Sequence, residues 1–456
     1  MKHSRIYYLY YIIPLLQLCH ISCKKFVEIP SPPTQAISET VFSDDNTATS
    51  AMIGLYSEMT KTNLNFANGA TTVYCGLSAD ELYRTSPSST IDFFTLNEIP
   101  SNSSIIKSNF WAAPYSYIYH ANAVLEGLSK SKVSDSVKAQ LTGEAKFIRA
   151  FCYFYLVNLF GDVPLILTTD YRVSASVART SSNLVYDQIM QDLLDAKSTL
   201  KENYPTPGRV RPNRWTAASL LARVYVYRHE WQKAESEATG IINSGLYSLA
   251  SVTIPLSSSN EVIWQLAKET ANTSDGATFI PSSPTAKPTY AITDSLLKAF
   301  ETGDLRKVNW LKSVTVSGQT YYYPFKYKIS SNTTVIERLI VLRYAELLLI
   351  RAEARIQQNN FPGALKDLNL IRDRAALPGI QSSASASEIL NAIQKERRTE
   401  LFCEWGHRWL DLKRTGQADA ILSLIKSSTW QPTDTLYPIP LSELESNPFL
   451  TQNNGY

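Results

Sequence analysis

Two stretches of the chain, 216–243 and 344–376, repeat one pattern of small and bulky residues, and nothing else in the sequence restricts the fold as much. In the first, Ala218, Leu221, Ala222 and Tyr225 are followed after a break by Trp231, Ala234, Ala238 and Ile241. In the second, Leu348 and Ala352 are followed by Phe361, Ala364, Leu368 and Ile371. Superposing Ala234 on Ala364 brings Ala222 onto Ala352 and Trp231 onto Phe361. Recurrence at three and four residues marks one face of an α-helix, so each stretch reads as two helices and a turn. Alanine facing alanine lets the helices approach closely, and the ring plugs the turn.

Such units resemble the tetratricopeptide pattern, whose period is about 34 residues. They lie far apart in sequence, so no continuous solenoid is expected; the helix pairs are scattered and must dock in space. The same periodicity predicts a long helix through Leu141, Ala145, Ile148, Cys152, Tyr155 and Leu159, stopped by Gly161 and Pro164, and another over about 184–200. Between the helices run long segments rich in Ser, Thr, Asn and Tyr, at about 60–108 and 245–334, with short strands expected inside them, for example at 262–266. Loops of such length are usually functional. The fold class is therefore mainly α, with a loop-rich face and a few short strands.

The net charge is only +3, from 44 Lys and Arg against 41 Asp and Glu, which excludes a polybasic nucleic-acid binder. The chain is rich in Tyr, with 26, beside 8 Trp and 16 Phe, a supply of flat rings suited to ligand recognition as well as to core filling. At the N-terminus Lys2, His3 and Arg5 precede an apolar run over 6–18, too short to span a bilayer and consistent with an export signal. Ile21 and Ser22 before Cys23 are similar to a bacterial lipobox, although His20 stands where Leu is usual. Cys19 is the rival, but Leu18 before it is too large for the cleavage pocket. Residues 1–22 are thus read as a signal peptide and Cys23 as the lipidated residue. Residues 23–43, with Pro30, Pro32 and Pro33, read as an extended tether. Cys75, Cys152 and Cys403 remain, too few for a disulfide framework and expected to be buried, inert thiols.

The best imitation of an active site is Glu396, Glu400 and Glu404, at one-turn spacing, with His407 and Asp411 four apart as possible metal ligands. Arg397, Arg398 and Arg408 are placed to counter these charges, so an ion-pair network between helices is the preferred reading. Asp80 and Glu81 form a carboxylate pair, but a glycosidase needs a second carboxylate at a defined distance. The sequence contains no His-Glu-x-x-His, no Gly-x-Ser-x-Gly and no phosphate-cradling glycine loop. No catalytic residue, metal or cofactor is expected. For binding, rings that stack on sugar faces and polar groups that meet hydroxyls are the needed mixture. Tyr74, Asp80, Tyr83, Arg84, Phe93 and Asn97 offer it in one segment, and Trp310, Tyr321 and Tyr322 in another.

Four stretches carry a family resemblance. They are Lys25 to Glu28 with Pro30; Gly143-Glu144-Ala145, Arg149-Ala150 and Tyr153-Phe154 leading to Phe160-Gly161-Asp162-Val163-Pro164; Arg343-Tyr344-Ala345-Glu346 with Arg351-Ala352-Glu353-Ala354; and Glu396-Arg397-Arg398, Gly406-His407-Arg408-Trp409 and Asp411-Leu412 before a tail ending Asn453-Asn454-Gly455-Tyr456. In this order the chain resembles the SusD/RagB family of Bacteroidetes outer-membrane lipoproteins. The resemblance implies a scaffold of four tetratricopeptide-like helix pairs. It implies one compact unit built from an N-terminal helical region, 44–245, and a C-terminal region, 246–456. It further implies a lipid-anchored protein on the outer face of the outer membrane, partnered with a SusC-like TonB-dependent transporter and capturing oligosaccharides or, in some members, peptides. A surface glycoside hydrolase and a scaffold that binds only the transporter are the readings from other classes.

Overall fold

The computed structural model describes residues 38–332 and 334–456; the stretch read as a signal peptide, Cys23 and most of the expected tether lie outside them. The tether reading stops short of residue 43. Ser38–Val41 is already helical, and the Phe42 ring is buried against Gly127, where any Cβ would meet it at 2.1 Å.

Helix α1 (Asp45–Lys61) starts at Asp44, whose carboxylate accepts from the N–H groups of Asn46 and Thr47 at 2.8 and 3.0 Å, satisfying donors that a helix start leaves open. Buried α2 (Ala70–Ser78) leads into β1 (Leu82–Arg84). Then come α3 (Ala113–Ser129) and α4 (Asp135–Phe160), the latter with its whole apolar stripe from Leu141 to Leu159 buried. Gly161 ends α4 with φ 73°, and its N–H closes the last turn on Val157 at 3.0 Å. Next are α5 (Ser182–Thr199), α6 (Arg214–Tyr227) and α7 (Trp231–Asn243).

After α7 the chain makes short strands: β2 (Val262–Leu266), β3 (Tyr290–Ile292), β4 (Leu311–Val316), β5 (Gln319–Pro324) and β6 (Leu339–Arg343). They pair antiparallel as β1 with β3, β2 with β6, and β4 with β5. Ser317 and Gly318 both have positive φ in the β4–β5 turn, which matches the twist a two-residue hairpin requires. The chain closes with α8 (Tyr344–Gln357), α9 (Phe361–Arg374), α10 (Ala386–Glu400), α11 (His407–Arg414) and α12 (Ala418–Ile425), followed by the short helix Leu441–Ser446.

The repeated pattern forms the hairpins α6–α7 and α8–α9, and their turns agree residue by residue. His229 and Asn359 hold φ of 57° and 61°, and the next N–H reaches back to Tyr225 at 2.9 Å in one turn and to Arg355 at 2.8 Å in the other. Ala222, Ala234, Ala352 and Ala364 are buried completely. The expectation that no continuous array exists is corrected in space. α7 packs directly on α8, so α3 to α9 stack in chain order across the strand-bearing insertion. Arg355 of α8 pairs with Glu235 of α7 at 2.7 Å across that junction. Among the described residues no helix is long and apolar enough to cross a membrane.

Candidate ligand-binding face

The carboxylate cluster on α10 is a buried ion-pair lattice. Arg306 places Nη1 2.5 Å from Glu396 and 3.0 Å from Glu400, and Nη2 2.9 Å from Asp304. Arg343 holds Glu261 at 2.7 Å, Glu400 at 2.5 Å and Glu404 at 2.8 Å. Arg374 and Lys326 complete the shell around Glu400 and Glu404. Burial alone would raise the Glu400 carboxyl, but Arg374, Arg343 and Arg306 hold it well below the usual range. The sequence reading placed the counter-charges wrongly. Arg397 pairs with Asp411 at 2.8 Å, while Arg398 and Arg408 grip Asp80 at 2.5 and 2.6 Å. His407 is buried and pushed down to about 4, mainly by that burial, and Asp411 is also held by Arg414 at 2.7 Å. With their oxygens committed to guanidinium groups, these carboxylates are poor general acids or bases.

The two segments proposed to meet ligand do meet each other. β1 follows the α2 turn and pairs with β3 in the register Leu82 to Ile292, Tyr83 to Ala291 and Arg84 to Tyr290. Thr85 Oγ1 donates to Pro288 O at 2.5 Å, and Lys287 Nζ to Thr85 O at 3.0 Å, extending the junction. β3 lies beside β5 of the hairpin. The Tyr83 phenol is raised, first by partial burial, then by Tyr321 and Asp294. Tyr83, Arg84, Phe93, Tyr321 and Tyr322 are all half-buried. The sequence reading omitted Asp92 and Lys287. Asp92 sits 3.8 Å from Arg84, and its adjacency to Phe93 was the available signal.

The other four named residues are buried. Tyr74 packs its ring 4.8 Å from Phe94 and 5.9 Å from Phe110. Asp80 is locked by the two arginines and by Ser295 at 3.1 Å; burial opposes its ionisation, but Arg408 and Arg398 hold its pKa below normal. Asn97, with φ 60°, accepts from Lys426 at 2.5 Å. Trp310 is 1% exposed, donates through Nε1 to Val252 at 3.1 Å, and lies under Arg374 and Lys326 at 5.2 and 4.9 Å. Neighbouring Glu81 has Oε1 unpartnered and Oε2 accepting from Cys403 N–H at 3.2 Å, and burial pushes its carboxyl up to about 7. Cys75, Cys152 and Cys403 are buried free thiols. Burial pushes Cys75 up to about 12.

Comparison with known proteins accounts for this architecture. Residues 32–226 match the family model SusD-like_3, described as "Starch-binding associating with outer membrane", and residues 306–456 match the SusD family model SusD_RagB. SusD-like protein P25 of Formosa agariphila is 25% identical, over 95% of this chain and 97% of its own length. SusD-like protein P2 of the same organism is 28% identical, over 76% of this chain and 80% of its own. A SusD superfamily protein from Bacteroides vulgatus superposes with a TM-score of 0.80 at 21% identity, over 91% of this chain and 100% of that one. A laminarin-binding SusD-like protein superposes with a TM-score of 0.77 at 25% identity, over 91% and 100%. Helix array, strand insertion and matched sequence thus coincide over nearly the whole described chain, and the chain belongs to the SusD/RagB family.

Proposed function

We propose that the protein is a surface-facing outer-membrane lipoprotein, acylated at Cys23, that captures oligosaccharides and delivers them to a SusC-like TonB-dependent transporter. The observation that carries the binding reading is the convergence of Tyr83 and Arg84 on β1 with Tyr321 and Tyr322 on the hairpin, through β3. Half-exposed rings beside Arg84 and Asp92 supply the flat faces and charged hydrogen-bond partners that a sugar needs. Phe93 belongs to the same face in this proposal, whereas buried Tyr74, Asp80, Asn97 and Trp310 hold it in place. The family's starch-binding, outer-membrane description and the laminarin-binding relative support the ligand class and the location.

A peptide-binding role in the same uptake system is the second reading. The β1–β3 ladder already occupies one backbone edge there, which favours sugars. A hydrolase is disfavoured because the clustered carboxylates are held by arginines. The test is a glycan and peptide binding screen on the soluble chain beginning after Cys23, with the Tyr83→Ala/Tyr321→Ala double variant beside it. Glycan binding that is weakened in the double variant supports the proposal; peptide binding alone, or glycan turnover, overturns it.

A further inference from the structure

An open groove of about 390 Å³ lies between the start of α3, the loop after Pro164 and the short helix Leu441–Ser446, and none of the strand-face residues lines it. Its wall carries Trp111, Tyr115 and Tyr119. Spaced four apart, these rings line up along one helical face. Tyr115 and Tyr119 stand about 6 Å apart along the axis, at 1.5 Å per residue. Trp111 is buried, at 4% exposure, and Tyr115 is half-buried. Trp111 stands edge-to-face with Phe160 at 5.1 Å and 5.1 Å from Tyr115, whose hydroxyl donates to Pro164 O at 2.9 Å. Tyr119, at the outer end, is 52% exposed. Tyr171, 76% exposed, stands in the short helix between the lining residues Thr168 and Ser174.

Two further features mark the groove. The segment Ile106–Ala112, which delivers Trp111, is a π-helix running straight into α3, a rare form that concentrates at functional sites. Glu443 also lines the groove; half-buried, it pairs with no cation among the described residues. It shares that lining with Tyr115 and Tyr119.

We propose that this groove is a second carbohydrate site, taking a short neutral oligosaccharide across Tyr115 and Tyr119, with buried Trp111 holding those rings from beneath and the sugar hydroxyls donating to Glu443. Adjacent flat faces match a chain of sugar rings, whose C–H faces stack on aromatics. An unpaired carboxylate that accepts hydrogen bonds meets the hydroxyl edge. A phosphate-bearing ligand does not fit, since no Lys or Arg lines the groove and Glu443 would repel it. The site is separate from the strand face, and each can fail without the other.

The probes are laminarihexaose, maltohexaose, cellohexaose and xylohexaose at millimolar concentration, read by hydrogen–deuterium exchange and titration calorimetry on the wild type, Tyr119→Ala, Glu443→Gln and Tyr83→Ala/Tyr321→Ala. The expected result is slowed exchange over 111–119 and 441–450 with at least one hexasaccharide. Tyr119→Ala should weaken that binding about tenfold or more, Glu443→Gln should weaken it too, and the strand-face double variant should leave it unchanged. Protection confined to the strand face overturns this inference and leaves the proposed function standing. Absence of protection at both places overturns both. If Tyr119→Ala releases a co-purifying transporter while sugar binding is untouched, the groove is a protein interface and the inference is wrong.

Discussion

Arg343, the last residue of β6, holds Glu404 at 2.8 Å, although α10, which carries Glu396 and Glu400, has already ended at Glu400. Glu404 enters the lattice from a turn in which Cys403, Trp405 and Gly406 all have positive φ. Glu404→Gln should therefore destabilise the fold by about 3–5 kcal/mol, the scale for leaving a buried charge unpaired, measured by denaturant titration. Ligand affinity of the folded fraction should stay unchanged; normal stability with lost binding would reverse the assignment.

Trp310 and Tyr83 should separate cleanly. Trp310 fills a buried slot beneath Arg374 and Lys326, so Trp310→Ala should cost about 3–5 kcal/mol. Half-exposed Tyr83 should lose little stability as Ala, while ligand affinity falls about tenfold, or roughly 1.4 kcal/mol. Thermal melts and calorimetry on both variants check the pair.

The Glu81 carboxyl, raised by burial from its ordinary 4.5 to about 7, carries a pH signature. The folded state keeps its proton where the unfolded state has lost it, so its contribution is full below the unfolded pKa and disappears as pH rises through about 7. Glu81→Gln should match the wild type near pH 4 and gain up to about 3 kcal/mol relative to it by pH 8, at 1.36 kcal/mol per pKa unit. A difference that does not change with pH would show that Glu81 titrates normally.

Cys23→Ala should leave the fold intact and abolish membrane attachment, because two or three acyl chains give stable anchoring where one is marginal. Fractionation without the transporter is the measurement; a variant still in the outer membrane would contradict lipidation at Cys23.

The helix pairs were legible because their signal is periodic and local, whereas their union into one array was not, since the α7–α8 contact joins residues about 100 apart. Ala222, Ala234, Ala352 and Ala364 announce close helix contacts, and the strand at Val262–Leu266 stood out in its loop. The end of α10 was not legible. Spacing carried the helix on to Glu404, whereas left-handed residues at Cys403 and Trp405 turn the chain after Glu400. The ion pairs were equally hidden. Arg306 and Arg343 come to Glu396 and Glu400 from distant positions, and no local spacing encodes that. Aromatic composition could not separate Trp310 in the core from Tyr321 at the surface, because burial is decided by which segments dock above a ring. The row Trp111, Tyr115 and Tyr119 had a visible signal, rings at every fourth residue, but it lay inside an ordinary helical pattern.

The contact of α7 with α8 fixes an order of assembly. Joining Asn243 to Tyr344 closes a loop of about 100 residues, at an entropic cost of about 4 kcal/mol from chain length alone. Hairpins α6–α7 and α8–α9 need only their own short turns. Each can form early from near neighbours, while the seam between them waits until the strand-bearing insertion is compact enough to bring its ends together. The insertion that presents the strand face is thus also the slow step on which the two halves of the array depend to become one body.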